Sequence, residues 1–226
     1  MKFPLRTRVA AEFLGTAFLL AAVVGSGIMA ERLADGNAAL ALLANSVATG
    51  AALVALILAF GAISGAHLNP AVTLAEVMQG SIAWPDASAY VVAQVAGAFS
   101  GVAAAHLMFG LPLFFASHHV RTGRALAWSE FVATLGLLVV IWGCARTRPS
   151  AVSFAVGGYI TAAYWFTAST SFANPAVTLA RAASDTFAGI RPADAPAFIG
   201  AQLAATVAAV LCFRWLAGAR VGEAHR

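Results

Sequence analysis

Long apolar runs separated by short polar breaks dominate the pattern along the chain. Six runs of 20 residues or more each contain at most one Asp, Glu, Lys or Arg. A helix rises about 1.5 Å per residue, so about 20 residues cross the roughly 30 Å hydrocarbon core of a bilayer. The pattern therefore predicts six transmembrane helices, over Val9–Ala30, Ala38–Ser64, Ala87–Gly110, Ala125–Ala145, Ala151–Thr170 and Ala195–Leu216.

Two further apolar segments are too short to cross a bilayer. They begin at Asn69 (NPAVTLAEVMQG) and at Asn174 (NPAVTLARAASD). Each gives roughly ten helical residues, or about 15 Å. A half-spanning helix must be buried in protein, because lipid cannot satisfy its exposed backbone ends. The predicted fold class is an all-α membrane protein with six transmembrane helices and two half-spanning helices.

The composition agrees with a membrane protein and excludes most soluble functions. Of the 226 residues, 61% are hydrophobic and 10% are charged, against about 45–50% and about 25% in soluble domains. So few charges cannot cover a soluble surface, and the net charge of +4 is no nucleic-acid signature. Cys144 and Cys212 lie in apolar runs without metal-binding spacing, so we expect no metal and no cofactor.

The positions of the basic residues predict the orientation. With the N terminus in the cytoplasm, eight basic residues face the cytoplasm and five face the other side, which satisfies the positive-inside rule. We expect a multi-pass protein of the plasma (inner) membrane with cytoplasmic N and C termini. The eight residues are Lys2, Arg6, Arg8, Arg146, Arg148, Arg214, Arg220 and Arg226.

An internal repeat organises the chain. The sequence NPAVTLA occurs twice, identical over seven residues, and other landmarks recur in the same order around it. Three spans in each half is an odd number, so the halves must have opposite polarity, as in inverted-repeat membrane proteins. We expect one domain over residues 1–226, with repeats at approximately 1–115 and 120–226. The paired landmarks are Asn69–Ala75 with Asn174–Ala180, Glu12 with Glu130, and Gln94 with Gln202.

The doubled Asn-Pro-Ala motif carries the candidate chemistry. Asparagine is a good helix N-cap and proline suits the first helical position. Inverted symmetry brings the two helix starts together near the midplane, where each asparagine NH₂ group is free to point at a passing solute. Two positive helix ends admit a neutral hydroxylated solute and repel cations and protons. The motif residues are Asn69, Pro70, Ala71, Asn174, Pro175 and Ala176.

Together these features resemble the aquaporin and glycerol-facilitator family over essentially the whole chain. The likeness rests on the doubled Asn-Pro-Ala, the AEF and GT residues of Ala11–Thr16, the segment Ser64–Thr73 and the repeated Ala-Gln. The resemblance implies an aquaporin-like fold and a pore in each subunit of a homotetramer. It also implies passive conduction of water or small uncharged solutes through the bilayer, without enzymatic activity.

The chain departs from the family pattern at the outer filter. Family members usually carry an arginine three residues after the second asparagine, and here that residue is Val177. Counting the family's other filter positions without gaps gives Thr49, Ala162 and Ser171. All four are small and uncharged, so we expect a wide and less polar filter. Arg181, two helical turns after Asn174, either approaches the outer mouth or lies among solvent and headgroups.

A small filter with valine in place of arginine is also similar to bacterial aquaglyceroporin-like channels associated with arsenic resistance. The segments Ala44–Gly61 and Tyr159–Asp194 carry this likeness. Arsenite near pH 7 is neutral As(OH)₃, a compact mimic of glycerol. The resemblance therefore implies glycerol-like solutes, including arsenite or methylated arsenicals, together with water.

Several polar residues inside the apolar runs need an explanation. Glu12 and Glu130 occupy matched places without intramembrane basic partners, which favours a structural role, and the resemblance implies that they bond the loops before the half-helices. His67 is expected in the inner vestibule, where it either bonds a solute or braces the loop. Tyr164 is expected in the core or at the membrane interface rather than in the pore wall.

The main alternative function is an ion-coupled secondary transporter, since such transporters also use inverted repeats and broken helices. Coupling requires an ion site, and no intramembrane group of Asp, Lys and Arg supplies one. The spans also contain no Ser–His, paired-Asp or HExxH arrangement typical of an enzyme. The sequence therefore favours a passive channel.

Overall fold

A computed structural model describes residues 3–223 of the chain and the side chains of residues 3–216. Lys2 and Arg226, two of the residues behind the predicted orientation, lie outside the described residues. All α-helices in the described part are, in chain order, α1 (Leu5–Leu33), α2 (Ala38–Ser64), α3 (Pro70–Met78), α4 (Trp84–Met108), α5 (Arg124–Thr147), α6 (Val152–Phe166), α7 (Pro175–Arg181) and α8 (Ala195–Glu223).

The predicted all-α architecture with two short helices is confirmed, with one difference in the spans. Among the described residues, α1, α2, α4, α5 and the segment Pro192–Leu216 are long and apolar enough to cross a membrane. The remaining predicted span, Ala151–Thr170, contains α6, which has only 15 residues. It ends early because the backbone is extended at Thr167 and then turns left-handed at Thr170 on the way into α7.

Close backbone contact joins α1 and α4. A Cβ atom built on Gly97 would lie 2.3 Å from the carbonyl oxygen of Phe13, and one on Gly101 would lie 2.2 Å from that of Ala17. Only glycine permits these approaches, as is common between membrane helices. Helix α1 also packs on α2, α2 packs on α6, and α5 packs on α6 and α8.

Large apolar side chains cover the outer faces of the long helices. Phe18 on α1 is 59% exposed, Val92 on α4 is 70% exposed and Leu211 on α8 is 59% exposed. A soluble protein rarely presents so many large apolar groups together. This surface suits the hydrocarbon region of a bilayer.

The two half-helices begin with the same type of asparagine cap. The Oδ1 atom of Asn69 accepts a hydrogen bond from the backbone N–H of Ala71 at 2.9 Å. The Oδ1 atom of Asn174 accepts from the N–H groups of Ala176 at 3.0 Å and Val177 at 3.3 Å. Each cap accepts hydrogen bonds from backbone N–H groups of the first helical turn, which have no partner within the helix. The proline in that turn has no N–H group that needs a partner.

Candidate functional site

A cavity of about 310 Å³ passes the starts of both half-helices. Residues spaced four apart on α2 and on α6 form two mainly apolar stripes along its wall. Hydrogen bonds join the starts of the two half-helices. The part of the cavity lined by Arg181, at the far end of α7, is called the α7 end, and the part lined by Glu76, near the far end of α3, is called the α3 end. The stripes are Thr49, Leu53 and Ile57 on α2, and Val152, Val156, Ile160 and Tyr164 on α6.

Each cap asparagine donates a hydrogen bond to the residue that precedes the other cap asparagine. The Nδ2 atom of Asn69 donates to the carbonyl oxygen of Ala173 at 2.7 Å, and the Nδ2 atom of Asn174 donates to that of Leu68 at 2.8 Å. The expectation that each NH₂ group points freely at the solute is therefore corrected. One N–H is tied to the segment before the opposite half-helix, and the second N–H remains for a solute.

The segments before the half-helices adopt the same unusual backbone. Ala66 and Leu68 have φ values of 47° and 50°, and Ser171 and Ala173, 105 residues later in each case, have φ values of 53° and 48°. Non-glycine residues populate this left-handed region at a cost of about 1–3 kcal/mol each, so surrounding contacts must hold them there.

Glu12 holds the segment before α3. Its Oε1 atom accepts hydrogen bonds from the Ser64 hydroxyl at 2.6 Å and the His67 backbone N–H at 3.0 Å. Its Oε2 atom accepts from the Leu68 N–H at 2.7 Å and from Nε2 of Gln94 at 2.8 Å. The buried carboxylate thus fixes the amide of the strained residue Leu68 and the amide of His67, which lies between Ala66 and Leu68.

Glu130 holds the segment before α7 in the same way. Its Oε1 atom accepts from the Phe172 N–H at 2.9 Å, and its Oε2 atom accepts from the Ala173 N–H at 2.8 Å. The Nε2 atom of Gln202 donates to Oε2 at 2.7 Å and to the Thr178 hydroxyl at 3.0 Å. The sequence marked Gln94 and Gln202 only as landmarks, although their equal placement in the repeats was a signal of a shared role.

Three of the four predicted filter residues line the cavity. Thr49, Ser171 and Val177 do so near the α7 end, whereas Ala162 is exposed on the opposite face of α6. Two helical positions correspond to about 200° of rotation, so Ala162 cannot face the cavity together with Tyr164. Tyr164 occupies that place, 3% exposed, with its hydroxyl 3.2 Å from that of Thr49. The predicted place of Ala162 in the filter is therefore wrong, whereas Tyr164 lies in the core as expected but also contributes to the cavity wall.

Arg181 lies in the cavity wall rather than among solvent and headgroups. It is 2% exposed and its Nε atom donates to the carbonyl oxygen of Ala188. Its guanidinium carbon is 3.4 Å from the centre of the Phe172 ring, and that of Arg121 is 5.1 Å from the same ring. Burial lowers the pKa of Arg121, which lies in the loop between α4 and α5. Two guanidinium groups thus lie at the α7 end.

At the α3 end, the cavity is lined by His67 and Glu76. The Nδ1 atom of His67 lies 3.1 Å from the Thr73 hydroxyl, so the ring braces the loop while it contacts the cavity. The Nε1–H of Trp142 donates to Oε1 of Glu76 at 2.9 Å. Sequence reasoning missed Glu76, although it lies seven residues after Asn69, as Arg181 does after Asn174.

Comparisons with known proteins agree with this architecture. The chain is 55% identical over 215 residues to aquaglyceroporin AqpS of Rhizobium meliloti (strain 1021), which covers 95% of this chain and 92% of that protein. It is 38% identical over 172 residues to aquaporin NIP1-4 of Oryza sativa subsp. japonica, covering 71% of this chain and 59% of that protein.

A solved structure shows the same fold. The X-ray structure of the aquaglyceroporin from Plasmodium falciparum matches with a TM-score of 0.69 at 19% identity, over 93% of this chain and 94% of that chain. The family model described as MIP, major intrinsic protein, matches residues 2–150. The structure has two capped half-helices that meet at a cavity, and the solved aquaglyceroporin structure shares this fold. The chain therefore belongs to the major intrinsic protein family and is a passive membrane channel for water and small solutes, not an enzyme.

Proposed function

We propose that the channel conducts compact polyols and their uncharged analogues, including glycerol, arsenite and methylated arsenicals, together with water. The observation that supports this is the division of the cavity wall. The long helices contribute mainly apolar side chains, and the half-helices with their preceding segments contribute most of the polar groups. A solute with an apolar side and several hydroxyls contacts both kinds of surface, as small-molecule sites require.

The filter of this channel consists of Thr49, Tyr164, Ser171 and Val177. The Ser171 hydroxyl is buried and has no hydrogen-bond partner among the described residues, so a passing solute is a suitable partner for it. Val177 has a short aliphatic side chain at the position where family members usually carry an arginine, which supports a filter wide enough for glycerol.

Asn69 and Asn174 form a second polar site for the solute, in addition to the filter. The remaining N–H of Asn69 and of Asn174 donates to solute oxygens, while the converging positive ends of α3 and α7 oppose cations. A neutral solute exchanges its water hydrogen bonds for these and for the Ser171 hydroxyl. No ion gradient is needed for such a passage.

The channel assembles as a homotetramer in the plasma (inner) membrane, with both termini in the cytoplasm. The exposed apolar faces of the long helices support contact with lipid and with other subunits. The bias of basic residues supports the orientation. Native mass measurement and labelling of terminal tags in intact cells test these two points.

Stopped-flow light scattering of proteoliposomes tests the solute class. Water, glycerol and arsenite permeabilities are measured with and without proton and sodium gradients, and protein-free vesicles give the background. We expect all three to exceed the background and to be independent of the gradients. Water permeability alone above background would contradict the proposed solutes, and a gradient-dependent arsenite flux would contradict passive conduction.

A further inference from the structure

We infer that Arg181 is a specificity-determining residue, whose guanidinium donates hydrogen bonds to solutes at the α7 end of the cavity. It favours solutes that carry several oxygen acceptors, such as polyols and hydroxylated oxyacids, over solutes rich in N–H donors, such as urea. This inference rests on the proposed function, because it specifies the solute chemistry of the same pore.

The hydrogen bonds of Arg181 leave most of its donors unused. Its Nε atom donates to the carbonyl oxygen of Ala188, and within the described part of the chain its two terminal nitrogens have no hydrogen-bond partner and no carboxylate. A buried charged group whose terminal donors have no hydrogen-bond partner is costly. Because Arg181 lines the cavity, a solute inside it is the available partner.

The Phe172 ring holds the guanidinium in place. The distance of 3.4 Å from the guanidinium carbon to the ring centre means that the cation lies against the ring face. Phe172 is itself fixed by its backbone N–H, which donates to Glu130. The donors of Arg181 are therefore held at the cavity wall before a solute arrives, which lowers the entropy cost of binding.

The fold does not require an arginine at this position. Glu76 occupies the equivalent place in the first repeat, seven residues after its asparagine, and the seven residues Asn69–Ala75 that precede it are identical to Asn174–Ala180. Glu76 also lines the cavity, at the α3 end. The helix start is thus compatible with an acid or a base at this position, and a requirement of the half-helix alone does not explain Arg181.

The hydrogen-bonding groups of the Arg181 guanidinium determine which solutes it binds. Guanidinium has only donors, so it bonds oxygen acceptors and offers nothing to an N–H group. Hydrogen bonds from a charged donor are about twice as strong as neutral ones. Val177, one turn earlier on the same helix, lines the same cavity with an aliphatic side chain that has no hydrogen-bonding group. Glycerol presents three oxygen acceptors to this group, whereas urea presents one.

The ratio of glycerol to urea permeability in proteoliposomes tests the inference. We compare the wild type with Arg181→Lys, Arg181→Gln and Arg181→Met, and use Arg124→Met as the control because Arg124 is exposed and does not line the cavity. We expect the ratio to fall by about fivefold in the Gln and Met variants, as the loss of one charged donor implies. The Lys variant and the control stay within about twofold of the wild type.

A purely structural Arg181 gives a different result. Lysine cannot reproduce the Nε bond to Ala188, so the Lys and Met variants would then lose thermal stability and all permeabilities together, with the ratio unchanged. An unchanged ratio in the Gln and Met variants, or a Lys variant as impaired as Met, overturns the inference. Failure of the wild type to conduct glycerol at all contradicts the proposed function instead.

A measurement on the wild-type protein tests the inference even if the Arg181 variants do not fold. Methylglyoxal modifies accessible arginines, and mass spectrometry of peptides gives the rate at Arg181 and at Arg124. We expect glycerol to slow modification of Arg181 and urea at equal concentration to leave it unchanged, with no effect of either solute at Arg124. Equal effects of glycerol and urea at Arg181, or none, overturn the inference.

Discussion

Replacing Glu130 by glutamine removes the carboxylate that holds the segment before α7. The carboxylate accepts from three donors, the backbone N–H groups of Phe172 and Ala173 and the Nε2 group of Gln202. Glutamine has one oxygen and one NH₂ group. In either orientation of the new amide, at least one of the three buried donors faces another donor.

The expected destabilisation follows from these bonds. Hydrogen bonds to a charged group contribute about 1.5–3 kcal/mol each, and a buried donor left without a partner costs about 1–3 kcal/mol. Losing one bond and weakening the others should lower the free energy of unfolding by about 2–5 kcal/mol. The left-handed backbone at Ser171 and Ala173 loses its support at the same time, so the filter is expected to lose its shape.

Thermal unfolding in detergent and glycerol permeability in proteoliposomes check this expectation. We expect Glu130→Gln to lower both the Tm and the permeability per channel, and Glu12→Gln to do the same in the other repeat. Glu31→Gln is the matched control, because Glu31 is exposed near the end of α1. A Glu130→Gln protein with the Tm and permeability of the wild type would refute the holding role of the carboxylate.

Four further substitutions test the centre, the filter and the packing. Asn69→Asp and Asn174→Asp retain a helix cap but place a charge at the midplane, so each should reduce solute flux at least about tenfold in stopped-flow measurements; wild-type flux in both would exclude the head-to-head pore. Val177→Arg adds a second long cation one turn from the end of α7, so the glycerol-to-water permeability ratio should fall, and an unchanged ratio would argue against a wide filter. Gly101→Ala drives a methyl group into a backbone carbonyl of α1 and should lower the Tm, whereas Gly158→Ala, where a Cβ meets nothing within 4 Å, should not; equal Tm values would remove the close contact between α1 and α4.

The sequence predicts best those features whose residues have a clear local role and occur in both repeats. Asn-Pro marks a helix start wherever it occurs, and its second copy indicates a partner. The matched glutamates have few acceptable buried partners other than backbone and amide donors, so their attachment to the loops follows from burial. The resemblance implied the same role for Glu12 and Glu130, and the hydrogen bonds described above give it a geometry.

The filter is harder to predict because its residues come from helices without a polar face. Helix α6 is mostly apolar, with a few polar residues such as Ser153 and Thr161 that do not line the cavity, so its polar pattern does not indicate which residues face the cavity. Its rotation depends on where the helix begins, after the 3₁₀ turn Pro149–Ala151, and where it ends, at Phe166. Counting without gaps therefore selected Ala162, although the cavity face carries Tyr164.

The repeat makes the centre of the pore symmetric and leaves its two ends free to differ. Near the centre, the residue pairs 66 and 171, 68 and 173, and 69 and 174 have matching backbone angles. Seven residues beyond each asparagine the match ends, with Glu76 at one end and Arg181 at the other. At the centre, the two half-helix starts are hydrogen-bonded to each other's preceding segments, so both must keep matching geometry. Each end, in contrast, contacts solutes from one side of the membrane. The two ends therefore present different hydrogen-bonding groups, because the carboxyl oxygens of Glu76 accept hydrogen bonds and the guanidinium of Arg181 only donates them.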